Sequence, residues 1–350
     1  MNNSLPSVGL VVGKFSPLHL GHEWLIEHAL SRVNRLVILS YSLPEFPGAH
    51  ATLRQRWLKQ RFPQAEVFVL DAWQLNEFSH QFEIQVPAND AADDLHREFC
   101  AKFLGFKLNE PITDVFTSEE YGQGFAEYLT QFYQERGHQD HRVKHHCVDL
   151  DRKQFNIAAS QLRNGHEPLE KWLSPQVRSD FKIRSLCFLG AESTGKSTLA
   201  QLLAEKYQEP AITEYGRELW DFKKGNLDKF DLYMIAKTQQ EREDQARQTA
   251  RKWIFCDTSP LTTLFYYEHF FKERTGYLDV LANTPYHVVY LCYPDFPLVQ
   301  DGTRHNEVFR QEQHNWYIQE LNRRRIPYTP LIGAMSLRLT EIQKDLESLE

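Results

Sequence analysis

IRSLCFLGAESTGKSTLAQLLAEKY, residues 183–207, decides the fold class of half the chain. An apolar run rich in strand formers leads through a Gly-containing loop into a helical pattern, the order in which parallel-sheet domains are built. The loop itself, GAESTGKS, matches G-x-x-x-x-G-K-[ST] at every fixed position and sits between strand and helix, as that motif requires. Backbone N–H groups of such a loop and the positive end of the following helix surround a polyphosphate. Gly190, Glu192, Ser193, Thr194, Gly195, Lys196, Ser197 and Thr198 are therefore the expected ATP-binding residues. Lys196 is expected on the β- and γ-phosphates and the Ser197 hydroxyl on Mg²⁺. Downstream, WIFCDTS places Asp257 at a strand end, where it could hold Mg²⁺ indirectly or orient an acceptor hydroxyl. EYGRE offers a second carboxylate, Glu214, beside Arg217. DGTRHNEVFR supplies Arg304 and Arg310 in a polar stretch suited to a lid that closes on the transferring phosphoryl group. HVVYLCY continues the strand pattern, and the end of the chain alternates a helical pattern with IPYTPLIG.

The amino-terminal half repeats the architecture without the motif. VGLVV, residues 8–12, is a strand; residues 23–33, EWLIEHALSRV, carry apolar side chains at helical spacing; RLVILSYS is a second strand. AEVFVLD, DVFTSE and VKHHCVDL are further strand candidates. Two doubly wound α/β domains are expected, 1–175 and 183–350, with the boundary in the Gly- and Pro-containing stretch between residues 164 and 183.

Composition agrees with this. A chain of 350 residues suggests about two domains. Its 41% hydrophobic and 25% charged residues are ordinary for a globular protein. The net charge of −7 argues against a surface for non-specific nucleic-acid or anionic-lipid binding. Five scattered cysteines without a C-x-x-C pair fit reduced thiols better than a disulfide framework or zinc site. Without a signal-peptide pattern or an apolar stretch long enough to span a bilayer, the expected location is cytoplasmic.

GKFSPLHLGH, residues 13–22, holds two histidines three apart between a strand and a helix. They point toward the carboxyl end of a parallel sheet, where α/β enzymes bind ligands. A zinc site needs more ligands, and no second Cys/His pair of metal spacing accompanies them. His138, His141, His145 and His146 form another cluster, but His145 and His146 are consecutive in a strand and must face opposite ways. Buried core histidines and phosphate handlers both remain open on position alone.

The stretch resembles the G-x-F-x-P-x-H-x-G-H signature of the nucleotidyltransferase superfamily, with Gly13, Phe15, Pro17, His19, Gly21 and His22 in matching places. The resemblance implies a Rossmann-like domain in which His19 and His22 lie against the triphosphate of ATP, with Lys14 assisting and Gly13 and Phe15 in the ATP-binding loop. NIAASQLR, residues 156–163, is similar to the second signature, I-S-x-T-x-x-R: Ile157 and Arg163 match, Ser160 replaces Thr and Ala158 replaces Ser. By that likeness Arg163 binds the departing pyrophosphate and Ser160 contacts ATP. TSEEYG, residues 117–122, is similar to the nucleotide-side segment of nicotinamide mononucleotide adenylyltransferases. Such a half followed by GAESTGKS, EYGRE, WIFCDTS and DGTR resembles the bifunctional NadR family, in the form without a helix-turn-helix domain.

That resemblance implies a P-loop kinase domain that phosphorylates nicotinamide riboside and a transferase domain that joins the mononucleotide (NMN) to AMP from ATP, giving NAD and pyrophosphate. The cofactors are ATP and Mg²⁺; the partners are small molecules, with no nucleic acid or membrane expected and a homo-oligomer left open. Two rivals stand beside it: the same chemistry on another nucleoside, and a degenerate transferase half, with alanines at 158 and 159, that senses NAD or ATP.

Overall fold

In a computed structural model of the chain, residues 6–46, 48–119, 121–149, 153–298 and 305–349 are described. The first strand, β1 (Val8–Val12), is buried along four of its five residues, as a strand covered on both faces must be. It lies at the centre of a five-stranded parallel sheet of order β3-β2-β1-β4-β5. The elements in chain order are β1, α1 (Leu20–Leu30), β2 (Arg35–Ser40), α2 (Ala51–Arg61), β3 (Glu66–Val69), α3 (Ala72–Phe82), α4 (Asp93–Lys107), β4 (Asp114–Thr117), α5 (Tyr121–Gln134) and β5 (Lys144–Cys147). Three short helices follow, α6 (Ala159–Arg163), α7 (Leu169–Trp172) and α8 (Pro175–Asp180). Leu10, Val37, Leu39 and Val115 from the sheet pack against Phe99, Phe103, Phe125 and Leu129 from α4 and α5.

A second parallel sheet has order β10-β9-β6-β8-β7. Its elements are β6 (Arg184–Leu189), α9 (Lys196–Tyr207), β7 (Ala211–Ile212), α10 (Tyr215–Phe222), α11 (Lys229–Arg247), β8 (Trp253–Asp257), α12 (Pro260–Phe271), α13 (Gly276–Leu281), β9 (Val288–Cys292), α14 (Glu307–Arg324), β10 (Thr329–Leu331) and α15 (Met335–Leu349). Leu186, Phe188, Phe255, Tyr290 and Leu331 form its sheet-side core, closed by α9 and α15. The chain divides into two compact units between Ser179 and Asp180. Among the described residues no helix is long and apolar enough to cross a membrane.

The strands lie where the sequence pattern puts them: β1 keeps all of Val8–Val12, while others, such as β2 and β3, are shorter than their apolar runs. The first helix differs more: it spans Leu20–Leu30 rather than 23–33. The two histidines cap its start, and Ser31 ends it. Val33 then turns under β1, so close that a Cβ on Gly9 would stand 2.9 Å from Val33 Cγ2.

Candidate active sites

In the second unit the P-loop joins β6 to α9, which begins at Lys196, and two glycines shape it. Gly190 has φ +142°, and a Cβ there would meet the Cys292 carbonyl oxygen at 2.5 Å; Gly195, at φ +84°, caps α9. Thr194 is buried, and its hydroxyl donates to the Ala191 carbonyl at 2.8 Å, as does Lys196 Nζ at 2.9 Å. What Thr194 offers a ligand is thus its backbone N–H.

Two carboxylates converge on this loop from the ends of neighbouring strands. Asp257 ends β8, is 5% exposed and lies beside Ser197, whose hydroxyl helps hold its carboxyl down. The next residue, Thr258, holds φ +80°, which costs a β-branched side chain energy and marks a fixed turn. Glu214 follows β7 and caps α10. Burial pushes both carboxyls above their ordinary range; the Asp257 charge adds to this for Glu214, while Lys196, Ser197 and Arg217 oppose it for Asp257. Asp257 Oδ1 is buried and has no hydrogen-bond partner among the described residues. A buried carboxylate oxygen left open beside a P-loop hydroxyl is a donor set that fits Mg²⁺.

A cavity of about 570 Å³ extends from the loop. Ser193 to Thr198 and Glu214 give it a polar lining, while Trp220, Phe270, Leu232 and Ile235 give it an apolar one. The Trp220 and Phe270 rings are stacked, with centroids 6.0 Å apart. Leu232, Ile235 and Gln239 are one stripe of α11, at spacing three and four, and Gln239 Oε1 accepts the Tyr215 N–H at 3.2 Å. This apolar wall was absent from the sequence reading. Its signal is that stripe, obscured by the charged residues of α11. Glu192 lines the cavity too, and its carboxylate accepts the His305 N–H at 2.9 Å and the Tyr266 hydroxyl at 3.1 Å.

Arg304 lies outside the described residues. Arg310 does not stand in a lid loop: it belongs to α14, is 1% exposed, and its guanidinium donates to three backbone carbonyls and to the Glu307 carboxylate. Its flanking polar residues suggested a surface loop, but burial of one face of α14 takes it inward.

In the first unit, His19 caps α1 and His22 is its third residue. His19 Nδ1 accepts the His22 N–H at 3.3 Å and His22 Nδ1 accepts the His19 N–H at 3.4 Å. The rings stack with centroids 3.6 Å apart. An Nδ1 that accepts carries no proton, so the ring proton of each neutral imidazole sits on Nε2. Both residues line a cavity of about 150 Å³ with Ser118, Asp149, Ala158 and Ala159. Phe15 is buried at φ +47° and meets His22 edge-on; a Cβ on Gly13 would stand 2.8 Å from its ring.

Lys14, in the loop between β1 and α1, and Arg163, the last residue of α6, lie near each other but do not line that cavity. Lys14 Nζ donates to the Asn89 carbonyl at 2.6 Å, and burial followed by the Arg163 charge pulls its pKa down. Arg163 donates to the Ser16 carbonyl at 2.5 Å and covers the Phe46 ring. Ser160 is exposed on α6 and outside the cavity lining. Sequence reasoning also missed Arg54, fully buried, which donates to the Lys14 carbonyl at 3.2 Å and pairs with Glu45 at 2.9 Å. His145 bonds Thr117 Oγ1 and His146 bonds Asp114, on opposite faces of β5; no group of three or more metal-binding side chains occurs among the described residues.

Comparison with known proteins follows the same division. A family model described as AAA domain matches residues 185–338. The trifunctional NAD biosynthesis/regulator protein NadR of Salmonella typhimurium LT2 is 27% identical over 364 residues, covering 97% of this chain and 83% of the relative. Its counterpart from Escherichia coli K12 is 27% identical over 362 residues, with the same coverage. Over nearly its whole length the chain is thus similar to NadR proteins. Among solved structures, a NadR protein in complex with NR shares 18% identity with a TM-score of 0.42, covering 95% of this chain and 92% of that one.

Proposed function

We propose that the chain is a bifunctional enzyme of NAD formation: its second unit phosphorylates nicotinamide riboside with ATP, and its first joins the resulting NMN to AMP from a second ATP. The observation that carries the kinase reading is the single cavity lined by the P-loop, by Glu214 and by the stacked rings of Trp220 and Phe270, with Asp257 beside Ser197 of the loop. A flat heteroaromatic base suits the ring-lined wall, which leaves its 5′-hydroxyl toward Asp257 and Glu214.

In the kinase step the riboside 5′-oxygen forms a bond to the γ-phosphorus, the β–γ bridging bond breaks, and ADP leaves. The hydroxyl proton passes to Asp257 or Glu214, whose burial favours accepting it. Lys196 and the loop N–H groups spread the charge of the transferred group. Ser197 and Asp257 would hold Mg²⁺, which supplies positive charge against the phosphates.

In the transferase step a phosphate oxygen of NMN forms a bond to the α-phosphorus of ATP, and the α–β bridge breaks to release pyrophosphate. A phosphate is already a sufficient nucleophile, so positioning and charge neutralisation carry the step. The Nε2–H groups of His19 and His22 are the donors for the triphosphate, and Arg163 with Lys14 takes the charge developing on pyrophosphate.

The test is product analysis of the whole chain with ATP and nicotinamide riboside: NMN is expected first, then NAD and pyrophosphate. NMN without NAD, also when NMN is supplied, would favour the sensor reading. That reading draws on Ala158, which stands at the start of α6 without a side-chain cap.

A further inference from the structure

The P-loop is held from behind. Every carbonyl from Ala191 to Thr194 receives a side-chain donor. Ala191 is taken by Thr194 and Lys196. Arg310 Nε donates to the Glu192 carbonyl at 2.9 Å and Arg310 Nη2 to that of Ser193 at 3.1 Å. Arg338 Nη1 donates to the Thr194 carbonyl at 2.9 Å. The remaining nitrogens reach the loops after β9 and β10: Arg310 Nη1 to Phe296 O at 2.8 Å, Arg338 Nη2 to Tyr293 O at 3.1 Å and Arg338 Nε to Gly333 O at 2.9 Å. Gln313, three residues beyond Arg310, accepts the Glu192 N–H at 3.0 Å. Arg310, Gln313 and Arg338 are each 1% exposed or less.

In a planar trans peptide the carbonyl of one residue and the N–H of the next point in opposite directions. Fixing the carbonyls of Glu192, Ser193 and Thr194 outward therefore turns the N–H groups of Ser193, Thr194 and Gly195 toward the cavity that those residues line. We infer that Arg310 and Arg338 are positioning residues that preset the P-loop amides for a nucleoside triphosphate before it binds. The inference rests on reading this cavity as a nucleotide site. A buried arginine needs acceptors wherever it lies. Here, though, two arginines from separate helices, α14 and α15, select consecutive carbonyls of one loop. The planar fork of guanidinium spans several carbonyls at once, which the single ammonium of lysine does not.

The experiment uses the full chain with Arg310→Lys and Arg338→Lys, each checked by thermal melting, with Lys196→Ala as the reference. Affinities for ATP and for nicotinamide riboside are measured separately by calorimetric titration. ATP affinity is expected to fall about 10- to 100-fold, the usual cost of removing a partner that orients a ligating group, with riboside affinity unchanged. A folded variant that keeps wild-type ATP affinity while Lys196→Ala loses it overturns the inference alone. So does an equal loss for both ligands. ATP binding unaltered by Lys196→Ala overturns the nucleotide reading and the inference with it. If the lysine variants do not fold, Arg310→Gln and Arg338→Gln, which keep a planar donor, decide on the same terms.

Discussion

Glu243 sits on α11 one turn beyond Gln239, is 2% exposed, and accepts the Tyr286 hydroxyl at 2.8 Å. Burial pushes its carboxyl from 4.5 up to about 7, against the pull of Arg247, Tyr286 and Cys256. At about 1.4 kcal/mol per pH unit, that displacement is worth about 3 kcal/mol. The folded state keeps a proton that the unfolded chain releases. The stabilisation is therefore complete below pH 4.5 and is lost as pH rises through 7. Glu243→Gln removes the ionisation while keeping a neutral polar side chain of the same shape beside Tyr286. Urea unfolding of wild type and variant between pH 4.5 and 8 is expected to show a stability advantage for the variant that grows from near zero to about 3 kcal/mol. The other titrating carboxylates are common to both proteins and cancel in the difference. A gap that stays constant across this range would refute the reasoning.

Gly190→Ala is expected to destabilise the second unit by about 2 kcal/mol or more, because φ +142° and the Cys292 carbonyl leave no place for a Cβ; thermal melting reads it. Ala158→Ser puts a capping hydroxyl at the start of α6, worth about 1 kcal/mol locally, and is expected to leave kcat/KM for ATP in NAD formation unchanged or modestly raised. Arg163→Ala is expected to lower the same constant by orders of magnitude, since a charge-assisted contact is about twice as strong as a neutral one.

What was legible in the sequence is what depends on neighbours in the chain. The P-loop is such a case, because its glycines, lysine and hydroxyl act within one turn of backbone. The central strands Val8–Val12 and Trp253–Asp257 are too, since burial on both faces writes an unbroken apolar run. The start of α1 was harder: histidine is not a usual cap, and the reciprocal bonds of His19 and His22 appear only once the rings stack. Arg54, Arg310 and Arg338 were illegible for a different reason. Their acceptors lie 40, 118 and 144 residues away, and charged side chains in a polar context read as surface until the fold closes over them. Trp220 and Phe270 likewise meet only in three dimensions.

The central claim is that two phosphate sites in two units perform two separable reactions, and the crossed pair Lys196→Ala and His22→Ala tests it most directly. Each purified variant is given ATP with nicotinamide riboside and, separately, ATP with NMN, and the products are separated by chromatography. Lys196→Ala is expected to make NAD from NMN at the wild-type rate but no NMN from the riboside. His22→Ala is expected to accumulate NMN from the riboside and form NAD about a hundredfold more slowly or worse. Loss of both reactions in either folded variant would contradict the account.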